Sequence, residues 1–196
     1  MNYLAHLFLA HATPESMAGN LLADFVKGNA ILELPPAVQD GVRMHRGVDR
    51  FTDSHPVVKQ SRSRLDARWS RVSGILMDVY YDYILARQWD HYSSIPLRLY
   101  LDLAHGQLLP VSRTLPDRFG ATIRRMVHED LMMGYVRQEN IRRALGSISH
   151  RLRNGKFRME ESLPDLLAHD RELTADFHVF FPELVAYARQ WKPAVG

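Results

Sequence analysis

Four pairs of ligand-type residues recur one helical turn apart: Asn2 and His6, Asn20 and Asp24, His45 and Asp49, and Asp78 and Asp82. At about 100° per residue, positions i and i+4 lie side by side on one helix face and can share an ion. Imidazole and carboxylate without thiolate suit Mn, Fe, Mg or Zn and argue against a soft-metal site. Carboxylates gathered in an apolar setting repel one another, and a cation is their simplest neutraliser. A bound divalent ion would polarise a phosphoryl oxygen and lower the pKa of a water. The alternative is a set of buried hydrogen bonds, each His or Asp satisfied by a neighbour.

The central pair carries the most information. In Val38–Asp53, VQDGVRMHRGVDRFTD, helical periodicity puts His45 and Asp49 on the face of Val38, Gly41, Val42, Val48 and Thr52. Gln39, Arg43, Arg46 and Arg50 fall on the opposite, solvent-facing side. Ordinary amphipathic helices place their charged residues away from the apolar stripe. An unpartnered polar group costs roughly 2–7 kcal/mol to bury, so His45 and Asp49 must find partners. Bundles commonly build metal sites from side chains that converge from facing helices. Asp53 is either a supporting partner of the site or exposed. His128-Glu129-Asp130 sits among charged residues and reads as solvated. His169-Asp170 reads as a surface or capping dipeptide, and Arg46 points to solvent rather than to a phosphate.

The elements that must hold these residues are helices throughout. No sustained period-two alternation and no Asn-Gly or Asp-Gly hairpin turn is present. Helices are expected over residues 2–12, from Thr13-Pro14 to about Lys27, and from Pro35-Pro36 until His55-Pro56 breaks the chain. Others follow over residues 57–67, 71–89, 96–110 and 116–134. Residues 137–153 form a basic helix stopped by Asn154-Gly155. A short element over 163–169 precedes a last helix carrying Phe177, Phe180 and Phe181, with Pro182 as a possible kink. No repeat, low-complexity stretch or long linker divides the chain. Residues 1–196 therefore read as one all-α domain, a helical bundle.

Composition narrows the function classes. An apolar fraction of 46% with 24% charged residues is that of a globular chain. The absence of cysteine excludes a disulfide scaffold, a thiolate metal site and a cysteine nucleophile. No stretch approaches 18 apolar residues, so no membrane span is expected. The N-terminus lacks a basic leading region and histidines interrupt its apolar run, so it does not read as a signal peptide. A cytoplasmic location is expected. The net charge of +3 is unevenly spread. Arg124, Arg125, Arg137, Arg142, Arg143, Arg151, Arg153, Lys156 and Arg158 face only Glu129, Asp130 and Glu139 over the same stretch. Such a patch steers acidic partners toward it.

At these residues the sequence resembles the acyl carrier protein phosphodiesterase (holo-ACP hydrolase) family. The matching stretches are Met1–Leu7, Gly19–Phe25, His45-Arg46 with Asp49 and Thr52-Asp53, and Leu76–Asp78 through Asp82. The resemblance is densest in the first 90 residues. It implies Mn-dependent hydrolysis of the phosphodiester joining 4′-phosphopantetheine to a serine of acyl carrier protein, releasing apo-carrier protein and 4′-phosphopantetheine. It also implies a role in fatty acid and lipid metabolism, and a distant relation to the all-helical HD phosphohydrolases. The adjacent His-Asp pair of that superfamily is absent from the central helix, where Arg46 follows His45. On this reading His6, Asp24, His45, Asp49, Asp78 and Asp82 surround the metal, with Asp24 and His6 catalytic. The acidic carrier protein docks on the arginine patch, with no nucleic acid or membrane partner. The main alternative is an HD-type metal phosphohydrolase acting on a nucleotide.

Overall fold

The computed structural model describes residues 1–151 and 158–192, and all regular structure among them is helical. The α-helices are α1 (Tyr3–Leu9), α2 (Pro14–Leu22), α3 (Pro36–Ser54), α4 (Pro56–Arg64) and α5 (Ser73–Arg87) in the first half. The second half holds α6 (Leu97–Ser112), α7 (Asp117–His128), α8 (Gln138–Arg151), α9 (Leu163–Ala168) and α10 (Asp170–Arg189). Short 3-10 turns join several of them. No described helix is long and apolar enough to cross a membrane.

Proline and capping residues set the helix starts. Pro14 and Pro36 occupy first-turn positions, where their missing N–H costs nothing. The Thr13 hydroxyl caps α2 by accepting the Ser16 N–H at 3.2 Å. Pro110 falls inside α6, which runs on to Ser112 rather than ending at the proline. The carbonyl that Pro110 leaves without a donor belongs to Gly106, which is exposed to solvent. α7 stops at His128, short of the expected Gly134, because Asp130 adopts a left-handed conformation with φ of 46°. The expected basic helix is α8, and Arg153, Lys156 and the Asn154-Gly155 stop lie outside the described residues.

α5 is the axis of the molecule. A single apolar stripe was expected on it, yet every residue from Val79 to Ala86 is buried, which takes in its whole circumference. α1, α4, α8 and α10 pack against it. The aromatic side of the core comes from α10, where Phe177 and Phe180 meet Tyr81 and Phe181 meets Phe8. Two polar ties fix α10, one buried and one near the surface. Asp176 accepts from Ser61 at 2.8 Å and Arg64 at 2.9 Å, and Asp170 accepts from Tyr80 at 2.7 Å and Arg87 at 2.9 Å. His169-Asp170 thus serves as the start of a helix.

α2 and α3 approach each other closely. A Cβ on Gly19 would sit 2.2 Å from the Val38 carbonyl oxygen, and one on Gly41 would sit 2.6 Å from the Ser16 carbonyl oxygen. The paired glycines let the two backbones touch. This approach delivers α2 to the face of α3 that carries His45 and Asp49.

Candidate metal centre

The buried face of α3 carries Val38, Gly41, Val42, His45, Val48 and Thr52, as the periodicity predicts. His45 is held from both ends. Its Nδ1–H donates to the Asn20 backbone carbonyl at 2.8 Å, and its Nε2 lies 3.0 Å from Asp49 Oδ2 and 3.5 Å from Asp24 Oδ1. His6, from α1, stacks on the His45 ring with centroids 3.6 Å apart. Its Nε2 lies 3.1 Å from Asp49 Oδ1. Asp49 therefore spans both imidazoles with its two oxygens. His6, His45 and Asp49 each offer a ligand atom, and all three atoms lie within 4.8 Å of one another.

The α-amino group of Met1 is buried against the same carboxylates, 2.7 Å from Asp78 Oδ1 and 3.4 Å from Asp49 Oδ1. Asp24, Asp49 and Asp78 leave 52%, 38% and 37% of their side chains exposed, while the histidines are sealed off. The open side is a cavity of about 510 Å³ lined by Met1, Asp24, Lys27, Asp49, Asp78 and Arg151, among others.

Electrostatics separate the two histidines. Burial pushes the His6 imidazole down, and the neighbouring His45 adds to this, to a pKa of about 4. Burial pushes His45 down too, but Asp24 and Asp49 outweigh it and hold the ring protonated to about 9. Burial favours a neutral Asp49, yet hydrogen bonds from His45 and His6 hold its carboxyl far below the usual range. The hydrogen bond from His45 lowers Asp24, whereas burial raises Asp78 despite the Met1 ammonium beside it. The site is thus one neutral imidazole, one imidazolium and a set of carboxylates around a pocket. His6 Nδ1 is buried with no hydrogen-bond partner, which a purely structural hydrogen-bonded core rarely leaves. Two imidazoles and clustered carboxylates with no sulfur are a hard-to-borderline donor set, and they fit a divalent ion.

Only some of the i, i+4 partners converge. Asn2 turns away and donates to the Tyr135 hydroxyl at 2.7 Å. The Asn20 side chain folds back to the Ser16 carbonyl at 3.0 Å, and Asn20 reaches the site through its backbone oxygen alone. α2 was expected to reach Lys27, but it ends at Leu22, and Asp24 stands on a 3-10 turn, Ala23–Phe25. Asp82 is fully buried, and its oxygens accept the Leu4 and Ala5 N–H groups at 2.7 and 3.1 Å. It is the N-terminal cap of α1, supplied from α5 because Asn2 makes no capping bond of its own. Burial pushes its pKa up to about 7, against the pull of those amides. Asp82→Ala should destabilise the protein by about 1–3 kcal/mol, since two buried amides lose their acceptor. Urea unfolding measures this, and an unchanged midpoint would show that α1 does not depend on the cap.

The remaining candidates lie elsewhere. Asp53 is exposed and pairs with Arg62 at 3.3 Å, and Asp130 pairs with Arg98 at 2.5 Å. Arg46 was expected in solvent but is half-buried, donating to the Val26 carbonyl at 2.9 Å. That bond ties α3 to the segment after Asp24. Sequence reasoning missed the Asn20 carbonyl and the Met1 ammonium, since neither is a side chain with a pattern to read.

Fold and site together define a class: an all-helical protein in which α1 and α3 bring His6, His45 and Asp49 into a group that could hold a metal ion, with Asp24 beside it on the turn after α2. The family is narrower. The family model for acyl carrier protein phosphodiesterase matches residues 1–184, and the chain belongs to that family. The chain is similar to the acyl carrier protein phosphodiesterase of Salmonella agona (strain SL483), at 36% identity over 189 residues, covering 96% of this chain and 97% of that one. The proteins of the same name from Salmonella newport (strain SL254) and Salmonella heidelberg (strain SL476) match at the same 36% identity and coverage. No solved structure matches the chain.

Proposed function

We propose that this protein hydrolyses the phosphodiester between 4′-phosphopantetheine and the serine of holo-acyl carrier protein, giving apo-carrier protein and 4′-phosphopantetheine. The observation that carries the reading is the convergence of His6, His45 and Asp49, with Asp49 lining an open pocket, in a chain of this family. We assign His6, His45 and Asp49 as the core of a divalent metal site, with Mn²⁺ the expected ion, and Asp24 and Asp78 at its open edge. A bound ion would neutralise the phosphodiester charge and supply an acidified water. Asp24 is half-exposed beside His45, and it serves either as a further ligand or as the base that takes the proton of the attacking water. The Asn20 carbonyl fixes the His45 tautomer by accepting from Nδ1–H, which keeps Nε2 turned to the pocket. Asp82 supports the site by holding α1, and with it His6, in place.

The test is intact-protein mass spectrometry of holo-acyl carrier protein incubated with this protein and Mn²⁺. Loss of the phosphopantetheine mass is expected, and it should be abolished by EDTA and by Asp24→Ala. A folded, metal-loaded sample that leaves holo-carrier protein intact but turns over nucleotides would replace the proposed substrate.

The charge states give a second expectation. At pH 7 His6 is already neutral, but His45 must release its proton to bind a metal. Mn²⁺ binding should therefore release about one proton per site. Isothermal titration in buffers of different ionisation enthalpy measures it, and zero release would place the ion away from His45. In the metal-free protein the raised His45 pKa contributes stability in full below about 6.5, and it is lost as pH rises through about 9.

The arginine patch is the expected docking face for an acidic carrier protein. Arg142 is exposed, whereas Arg143 pairs with Glu139 and Arg124 donates to the Ser112 carbonyl at 3.2 Å. The double variant Arg142→Glu/Arg143→Glu should raise the KM for the carrier protein roughly tenfold at low salt and leave kcat nearly unchanged. An unchanged KM would remove this face from docking.

A further inference from the structure

A second cavity, of about 550 Å³, adjoins the acidic pocket. Asn2, Ile148 and Arg151 line both, so the two adjoin at these side chains. The two differ in chemistry. One holds Asp24, Asp49 and Asp78; the other is mixed, with Leu131, Ala144 and Ile148, the neutral polar groups of Asn140 and Ser147, and the charged side chains of Arg125, Glu129, Asp130 and Arg143. One wall is a face of α8: Ala144, Ser147, Ile148 and Arg151 recur at three- and four-residue spacing. From Ala144 to Arg151 that face runs about 10 Å at 1.5 Å per residue. The Arg151 guanidinium stands at the junction, 5.9 Å from the centre of the Phe25 ring, next to Asp24 in sequence.

We propose that this second cavity receives the pantetheine arm of the substrate, with the phosphate end at Arg151 and the thiol end at Ala144. The proposal rests on the phosphodiesterase reading above and gives the position of that reaction's leaving group. The arm is a chain of about a dozen bonds, or about 14 Å extended at the reach per bond of a peptide, so it is long enough to span the roughly 10 Å from Arg151 to Ala144. Its methyl and methylene groups match Leu131, Ala144 and Ile148. Its two amides and hydroxyl match Ser147 and the side-chain carbonyl oxygens of Asn140 and Asn2, whose amide nitrogens already donate to Gly134 and Tyr135. The phosphate, the only charged part of the arm, falls where a guanidinium meets the metal-type centre.

The absence of cysteine allows a test that needs neither metal nor turnover. Single variants Ala144→Cys and Ala121→Cys, the latter on the exposed side of α7, are each treated with the disulfide dimer of pantetheine and, separately, with bis(2-hydroxyethyl) disulfide. The introduced thiolate attacks one sulfur, a mixed disulfide forms, and one thiolate of the reagent leaves, with no net redox change. Using two reagents cancels differences in intrinsic thiol reactivity between the sites. The A144C thiol should prefer the pantetheine reagent at least tenfold, and the A121C thiol should show no preference. Ser147→Cys, one turn along, should repeat the preference and guards against a local defect at Ala144. Equal preference at all three positions overturns the proposal. Hydrolysis of holo-carrier protein without this preference leaves the reaction standing and removes the arm site. Preference without hydrolysis keeps the arm site and removes the reaction.

Discussion

Asp49→Asn should abolish Mn²⁺-dependent hydrolysis and weaken Mn²⁺ binding more than a hundredfold. Asp49 reaches both imidazoles, 3.1 Å from His6 Nε2 and 3.0 Å from His45 Nε2. Losing a hydrogen-bonded partner behind a metal ligand typically costs 10–100-fold in affinity, and loss of a ligand should cost more. The fold should survive. The substitution removes one negative charge that faces Asp24 and Asp78, although it also weakens the partners of the His45 imidazolium and the Met1 ammonium. These effects oppose one another, so the metal-free melting temperature should change little. The clean readout is metal-induced stabilisation. A ligand at a hundred times its Kd stabilises the folded state by about 2.7 kcal/mol. Wild type should show this rise with Mn²⁺, and the variant should show none. A variant that keeps the full metal-induced shift would place the ion outside the His6–His45–Asp49 cluster.

Gly19→Ala should destabilise the protein by about 3 kcal/mol or more, at the upper end for overpacking. The added Cβ would lie 2.2 Å from the Val38 carbonyl oxygen, 2.7 Å from Gly41 Cα and 2.8 Å from the Val42 nitrogen. All three are backbone atoms of α3, so no side chain can swing aside. The helices must separate, and the Asn20 carbonyl, one residue on, must leave the His45 Nδ1–H that it accepts at 2.8 Å. Two losses are expected together: a lower urea midpoint, and lower activity per folded molecule. Gly106→Ala is the control, because a Cβ there meets nothing within 4 Å. In an exposed helix interior that change should stabilise by up to about 1 kcal/mol. If Gly19→Ala unfolded at the wild-type midpoint, the close α2–α3 contact would not be what positions the site.

Much of the architecture was legible from local chemistry. Pro14, Pro36 and Pro56 mark helix starts because a proline in the first turn loses no bond. His45 and Asp49 announced themselves by sitting on the apolar face of a helix whose arginines point away. That signal is intrinsic to the 3.6-residue repeat: Val38, Gly41, Val42, His45, Val48 and Thr52 are buried as it predicts, while Arg46 departs from it and is half-buried. The family was legible too, from the residues around His6, Asp24, His45 and Asp78.

Local pattern says that two residues share a face, but it does not say which of them reaches a common centre. In α5, Asp78 and Asp82 are one turn apart, yet Asp78 meets the Met1 ammonium while Asp82 caps α1. In α1, His6 stacks on His45 while Asn2 turns to Tyr135. α5 is buried on all sides, so successive turns of one face meet different neighbours, and the tertiary packing decides which. The same holds for groups that carry no side-chain signal. The Asn20 carbonyl acts at the site because α2 ends nearby and because Gly19 and Gly41 let it approach. The sequence by itself determined the helices, the ligand types and the family. The tertiary structure alone decided which ligands meet, because convergence depends on how closely and at what angle the helices cross, and helical periodicity contains neither quantity.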